Sequence, residues 1–350
     1  FDNLQNIDLS SFKIDNYNTV IIYNGQIQYK FSKLCEGLKL LSAKEYFERT
    51  GDFFSSENSP FDLLNTAFMD SALCLIVDQK TTISKPIKIL YISNGDESIM
   101  TNPRLYIDVE QGSNLKIIEE HIGDAQSSLQ NQAFYLTLKD NTNVEHTRIQ
   151  SNSENSNSFS NLYINQDRNS KYDFNLYMDG SKLIRNEIFI SLNNENSECN
   201  INLLSLSKND QHHDNKIIIN HNSHNTKSSQ FVKSILTDKS STVFNGRTII
   251  KKNAQKVEAS QSNKNLLLSE SARTNSIPQL EIYADDVKCS HGSTTGQIDE
   301  DALFYLRSRG IPKQDALNIF IEGFAMELID IINDEIVKEN LLNKIKKWIL

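Results

Sequence analysis

Cysteine is scarce in this chain and nowhere paired. Cys35, Cys74, Cys199 and Cys289 are spread over 350 residues with no Cys-x-x-Cys among them. That spacing argues against a disulfide framework and a preformed zinc site, and suits a reducing compartment. No apolar run approaches the roughly 18 residues needed to span a bilayer, so a soluble protein is expected. Basic residues are nowhere clustered, and a net charge of −9 with a pI near 5.4 argues against a nucleic-acid surface, which needs grouped Lys and Arg. Also missing are a Gly-x-x-x-x-Gly-Lys-Ser/Thr loop and a Gly-x-Gly-x-x-Gly turn, the backbone cradles for nucleotide phosphates; no nucleotide is expected on this chain. The chain begins at Phe1 without an initiator Met, so a leader is not judged from it.

Asparagine is abundant instead: 40 residues, 18 of them between Ser151 and Thr226. Genome composition is the plain explanation. The structural one is that Asn tolerates left-handed turns and stacks in ladders, both at home in a β-solenoid.

The pattern along the chain falls into three parts: a mixed region over 1–71, a β-rich body over 72–291 and a helical region over 292–350. Short helices are expected near Ala43–Arg49 and from Pro60 through Asp70, Pro being favoured at a first helical position. From Ala72, fourteen short strand-like pieces recur every 10 to 15 residues, from ALCLIV to LEIYA, separated by polar turns. More than 200 residues of such strands exceed one immunoglobulin-like sandwich, and the absence of a Trp-Asp blade repeat weakens a propeller. A parallel or mixed β-helix fits the spacing. After Gln297 the period turns helical. Asp299 caps a helix through Leu303 and Arg307 that stops at Gly310. Pro312 opens a second with Ala316, Ile319, Phe320, Gly323, Phe324 and Leu328 on one stripe. A third carries Ile336, Leu341, Leu342, Ile345 and Trp348.

Chemistry concentrates at Cys289 and His291. In an extended strand, side chains two apart share a face at roughly 6–7 Å, so the thiol and imidazole look the same way, on the face that Val287 makes apolar, where the strand is expected to end at Gly292. A thiolate and a neutral imidazole are natural ligands of iron and zinc. Two ligands leave positions open, which points to completion by a partner; the plain alternative is a small buried thiol beside a core histidine. His212, His213, His221 and His224 tempt a metal reading, but adjacent residues and residues three apart point to opposite faces of a strand. They are read as polar turns of the solenoid, and His121 and His146 are given no role. On the first carboxy-terminal helix, Phe304, Tyr305, Arg307 and Arg309 crowd together, residue types favoured in interface cores, although an open solenoid end also needs a plain cap.

The segment LEIYADDVKCSHG followed by GQIDEDALFYLRSRGI, with SSQFVKSILTDKSSTVFNGRTIIKKNAQKVEASQSNKNLLL before it and IEGF after it, resembles the SufB/SufD scaffolds of the SUF iron–sulfur cluster assembly complex. The Cys-Ser-His-Gly tetrad resembles the SufD branch in particular. The likeness runs from about Asp214 to Phe324, with fainter echoes at Leu64–Phe68 and Lys85–Tyr91. It implies a right-handed β-helix without turnover of its own, a heterodimer with SufB, and an iron–sulfur cluster assembled transiently at the shared interface. It further implies that His291, with Cys289 as auxiliary, serves the cluster, and that the ABC-type ATPase SufC docks on the helices carrying Phe304, Tyr305, Arg307 and Arg309. A homodimer in isolation, cytoplasmic or plastid-stromal residence, a SufB-type paralogue and a β-helix enzyme acting on polysaccharide remain as alternatives.

Overall fold

A computed structural model describes residues 16–28, 34–50, 59–69, 72–95, 98–125 and 127–349. Near the amino terminus lie β1 (Asn18–Tyr23), β2 (Gln26–Ile27), β3 (Leu38–Leu41), α1 (Ala43–Thr50) and α2 (Pro60–Phe68). Both helices occupy their expected places; the expected end at Asp70 lies outside the described residues. The body follows as β4 (Ala72–Val77), β5 (Ile87–Ile92), β6 (Ser98–Thr101), β7 (Arg104–Val109), β8 (Asn114–Ile122), β9 (Ser127–Leu138), β10 (Asn143–Gln150), β11 (Ser156–Gln166) and β12 (Lys171–Met178). It continues through β13 (Leu183–Leu192), β14 (Glu198–Ser207), β15 (His212–His221), β16 (Lys227–Leu236), β17 (Ser241–Ile250), β18 (Val257–Leu267), β19 (Arg273–Ile282) and β20 (Val287–Gln297). Then come α3 (Glu300–Ser308), α4 (Lys313–Ile329) and α5 (Glu335–Ile349).

The strands wind into the expected β-solenoid of about eight turns. From β7 onward the strands alternate between two sheets: the even-numbered ones stack as β8-β10-β12-β14-β16-β18-β20, with β5, β1 and β2 beyond β8, and the odd-numbered ones as β19-β17-β15-β13-β11-β9-β7, with β4 and β3 beyond β7. Pairing along the body is parallel. Alternation sends every second residue inward. Leu162, Ile188, Ile190 and Leu192 from one sheet meet Phe174, Ile201 and Leu203 from the other in one continuous core, each such side chain contributing roughly 1.5–3 kcal/mol by leaving water.

The asparagines have a structural use. Successive middle coils are offset by 27 to 29 residues, and at each repeat of one turn stands an Asn in the left-handed region: Asn141, Asn169, Asn196 and Asn225, with φ between 55° and 60°. Asn169 Nδ2 donates to Asn141 Oδ1 and Asn196 Nδ2 to Asn169 Oδ1, both at 2.9 Å. Asn reaches this backbone conformation at lower cost than other Cβ-bearing residues, and its amide pairs with the coil before it.

Outside the even-strand sheet, Ile118, Ile149, Tyr177, Leu204, Leu206 and Ile235 form an apolar face on which Ile321, Ala325, Leu328 and Ile329 of α4 and Val337, Leu341 and Ile345 of α5 pack. The buried stripe of α4 is therefore Ala316, Ile321, Ala325, Leu328 and Ile329, which shares Ala316 and Leu328 with the expected one, Phe324 packing partly buried beside it; Ile319 and Gly323 are exposed instead. The seat on the sheet selects this face; the helix is apolar nearly all round, so its own pattern does not. Asp299 caps α3 as expected, its carboxylate accepting from the amides of Asp301 and Ala302, and Gly310 takes φ 87°.

Candidate functional site at the open end of the solenoid

Cys289 and His291 lie on β20, the last rung of its sheet. Register pairs them with Ala259 and Gln261 of β18, inward and almost fully buried, so both face the solenoid axis. Sharing a face was the expectation from the sequence; a strand ending at Gly292 was not met. β20 runs on to Gln297, each residue paired with β18. Gly292 has no left-handed backbone and an added Cβ there would meet nothing within 4 Å, so it neither turns the chain nor opens space.

Among the described residues no coil stacks beyond β20, and its inner face is open. Cys289 is half-buried against Ile250, Ala254, Val257, Ala259 and Val287, while His291 is exposed. Burial pushes the Cys289 thiol up from its ordinary value, partly offset by a hydrogen bond with the Ala259 backbone. The thiol is therefore protonated near neutrality, and binding a metal there would release that proton. The mouth around the pair is polar. Ser293 Oγ donates to Asn263 Oδ1 at 3.2 Å, Asn265 Nδ2 to Thr295 Oγ1 at 3.3 Å, and Gln261 Oε1 and Ser276 Oγ are enclosed without partners. Among the described residues no His, Cys, Asp or Glu group of three assembles.

Of the four histidines expected in turns, His212, His213 and His221 lie on β15 instead, where alternation separates His212 from His213, and only His224 lies in the turn that follows. His212 meets Ser241 on the outside, and His213 is buried between Ser205 Oγ and the Gly180 carbonyl. His221 is buried between Thr226 and Ser228, and His224 lies exposed against Glu195. Phe304 (71% exposed) and Tyr305 (57%) project from α3, with Arg309 on the Tyr305 ring at 5.2 Å and its guanidinium donating to the phenol oxygen. Arg307 is exposed on the same helix, and Leu303 is the residue that α3 buries.

Lys233 was missed by sequence reasoning. It is 1% exposed on the outer face of β16, donates to the Phe324 carbonyl at 2.6 Å and pairs with Glu327 at 2.6 Å, tying α4 to the sheet. Lys264, one rung nearer the open end, reaches the same carboxylate at 3.4 Å. A lone Lys in FVKSIL carries no sign of this, because its partner lies far away in the chain.

Residues 91–324 match the family model described as SUF system FeS cluster assembly, SufBD core domain. The chain belongs to the SufBD family. It is 31% identical over 287 residues to the iron–sulfur cluster assembly protein SufD of Escherichia coli, covering 81% of this chain and 68% of that protein. A SufBD family protein of Synechocystis is 33% identical over 286 residues, 78% of this chain and 62% of the relative. Protein ABCI7, chloroplastic, of Arabidopsis thaliana is 28% identical over 308 residues, 85% and 63% respectively. The chain thus spans about two thirds of the length of these SufBD relatives. Membership in the family supports a role in iron–sulfur cluster assembly. No described helix is long and apolar enough to cross a membrane.

Proposed function

We propose that this SufBD-family chain is a SufD-type scaffold subunit. It pairs with SufB through the open solenoid end, carries the ATPase SufC on α3 and α4, and helps assemble a nascent iron–sulfur cluster that is passed on as cargo, with no turnover of its own. The observation that carries this reading is the placement of His291 and Cys289 on the inner face of a terminal strand with nothing stacked on it, a half-site open to a second protein. His291 supplies an accessible imidazole. Cys289 supplies a thiol that must lose its proton to ligate iron, which makes it the auxiliary of the two. Phe304, Tyr305, Arg307 and Arg309 supply an exposed aromatic and cationic surface suited to a protein partner.

The test is His291→Ala in the reconstituted three-protein complex. Because His291 is exposed, its removal leaves stability within about 0.5 kcal/mol and leaves SufB binding intact, while cluster assembly is lost; Cys289→Ser reduces it less. Assembly at the parent rate, or an unfolded variant, rejects the assignment.

A further inference from the structure

A second polar cleft lies away from the open end, where the turns of three successive coils face the last part of α5. One wall holds Ser151–Glu154, Asp179 and Lys208; the other holds Asn343, Lys344, Lys347 and Trp348; the volume is about 340 Å³. Three ammonium groups converge here in a protein whose net charge is −9. Lys208 stands 3.8 Å from Glu154, but neither Lys344 nor Lys347 forms an ion pair with any described residue. The indole Nε1–H of Trp348 is enclosed and has no acceptor, and a buried donor without a partner costs about 1–3 kcal/mol. The two carboxylates present are engaged. Asp179 accepts from the Ser151 and Tyr177 hydroxyls; burial raises its pKa, opposed by the nearby Lys344 charge. Glu154 is held by Lys208 and Asn209.

We propose that this cleft binds a compact multivalent anion, a phosphate or polyphosphate group, held by Lys208, Lys344 and Lys347 with the Trp348 indole N–H as an oriented donor. Ammonium groups bind phosphate as point charges needing no planar match, and an N–H donor beside them fixes an oxygen that point charges leave free to rotate. The site stands apart from Cys289 and His291 and does not depend on the scaffold reading.

Trp348 is the only tryptophan in the chain, so its emission reports on the cleft without a label. Sodium pyrophosphate is titrated into the 350-residue chain at constant ionic strength, followed by fluorescence and by calorimetry, the second to detect a complex silent at the indole. A saturable transition is expected, weakened about tenfold or more in Lys344→Gln/Lys347→Gln, a loss of at least about 1.4 kcal/mol. Sodium chloride should give no saturable change. The double variant changes two side chains that form no ion pair within 4 Å of a described residue, although Lys344 lies near enough to Asp179 to act on its charge, so its fold is checked by far-UV circular dichroism; Lys347→Gln alone, at an exposed position, serves if the double variant does not fold. A flat titration by both methods, or an unchanged midpoint in the variants, overturns the proposal.

Discussion

Between the neighbouring rungs β8 and β10, inside the solenoid, lies a charge pair that should dominate its stability. Glu119 is fully buried. Its Oε1 accepts from Tyr91 at 3.0 Å and Gln132 at 2.7 Å, and its Oε2 from His146 at 2.9 Å and Arg148 Nε at 2.5 Å. Arg148, also fully buried, gives its remaining bond to Ser160 at 2.5 Å between the Phe134 and Phe174 rings. At an effective dielectric of about 20, unit charges about 3 Å apart attract by about 5.5 kcal/mol. Glu119→Leu removes that term and strands a guanidinium that does not deprotonate, at an expected 3–5 kcal/mol, roughly. Glu119→Leu/Arg148→Met removes both charges; Gln132 still donates to Tyr91 at 2.6 Å and His146 still meets Tyr172 at 2.9 Å, so most of the network closes again. The double variant should therefore be more stable than Glu119→Leu alone by about 2 kcal/mol or more. Urea unfolding followed by circular dichroism at neutral pH measures both, provided the denaturant slopes agree. A double variant no more stable than the single one would refute the claim that the stranded charge, rather than lost packing, sets the cost.

Burial pushes His121, His213 and His221 down to about 4; the unfolded chain takes up these protons near pH 6.5, so the stability they contribute is complete above that value and falls as pH drops from 6.5 toward 4. Asp62, Asp108 and Asp179, raised by burial, act in the opposite sense, so the measurement is the difference between the protein and His213→Asn, which should narrow by about 2 kcal/mol between pH 6.5 and 5. At the α4 seat, Lys233→Met should cost less than Glu327→Ala, because the latter leaves a buried ammonium with a carbonyl and two aromatic rings but no carboxylate; the reverse order in urea midpoints counts against the clamp. Phe304→Ala/Arg307→Ala should leave stability within about 0.5 kcal/mol while weakening SufC binding by about 2 kcal/mol, and unchanged affinity by calorimetry rejects the dock.

Much of this was legible because parallel coils repeat local rules. Strand alternation placed Cys289 and His291 on one face, Asp299 and Gly310 bounded α3, and Asn density marked the turns. What escaped was decided by neighbours remote in the chain. Gly292–Gln297 looks unlike a strand, with two glycines and no large apolar side chain, yet β18 offers it a complete ladder of partners and it pairs throughout. Glu119, His146 and Arg148 read as surface residues by type; parity alone turns them inward, and only the other rungs supply the bonds that make burial tolerable. The stripe of α4 was misjudged for a related reason, since the sheet beneath it chose the face.

The one-sided position of β20 bears on the lifetime of the protein in a cell. In a stack where each coil leans on its neighbours, the outermost coil has half the support and opens first. That coil carries Cys289 and His291, so on the proposed reading a chain waiting alone would expose that end to proteases, whereas one covered by the proposed partner would keep it closed. Surplus subunits would then be culled from the end proposed to meet the partner, and their amount would track the supply of that partner without any dedicated regulator.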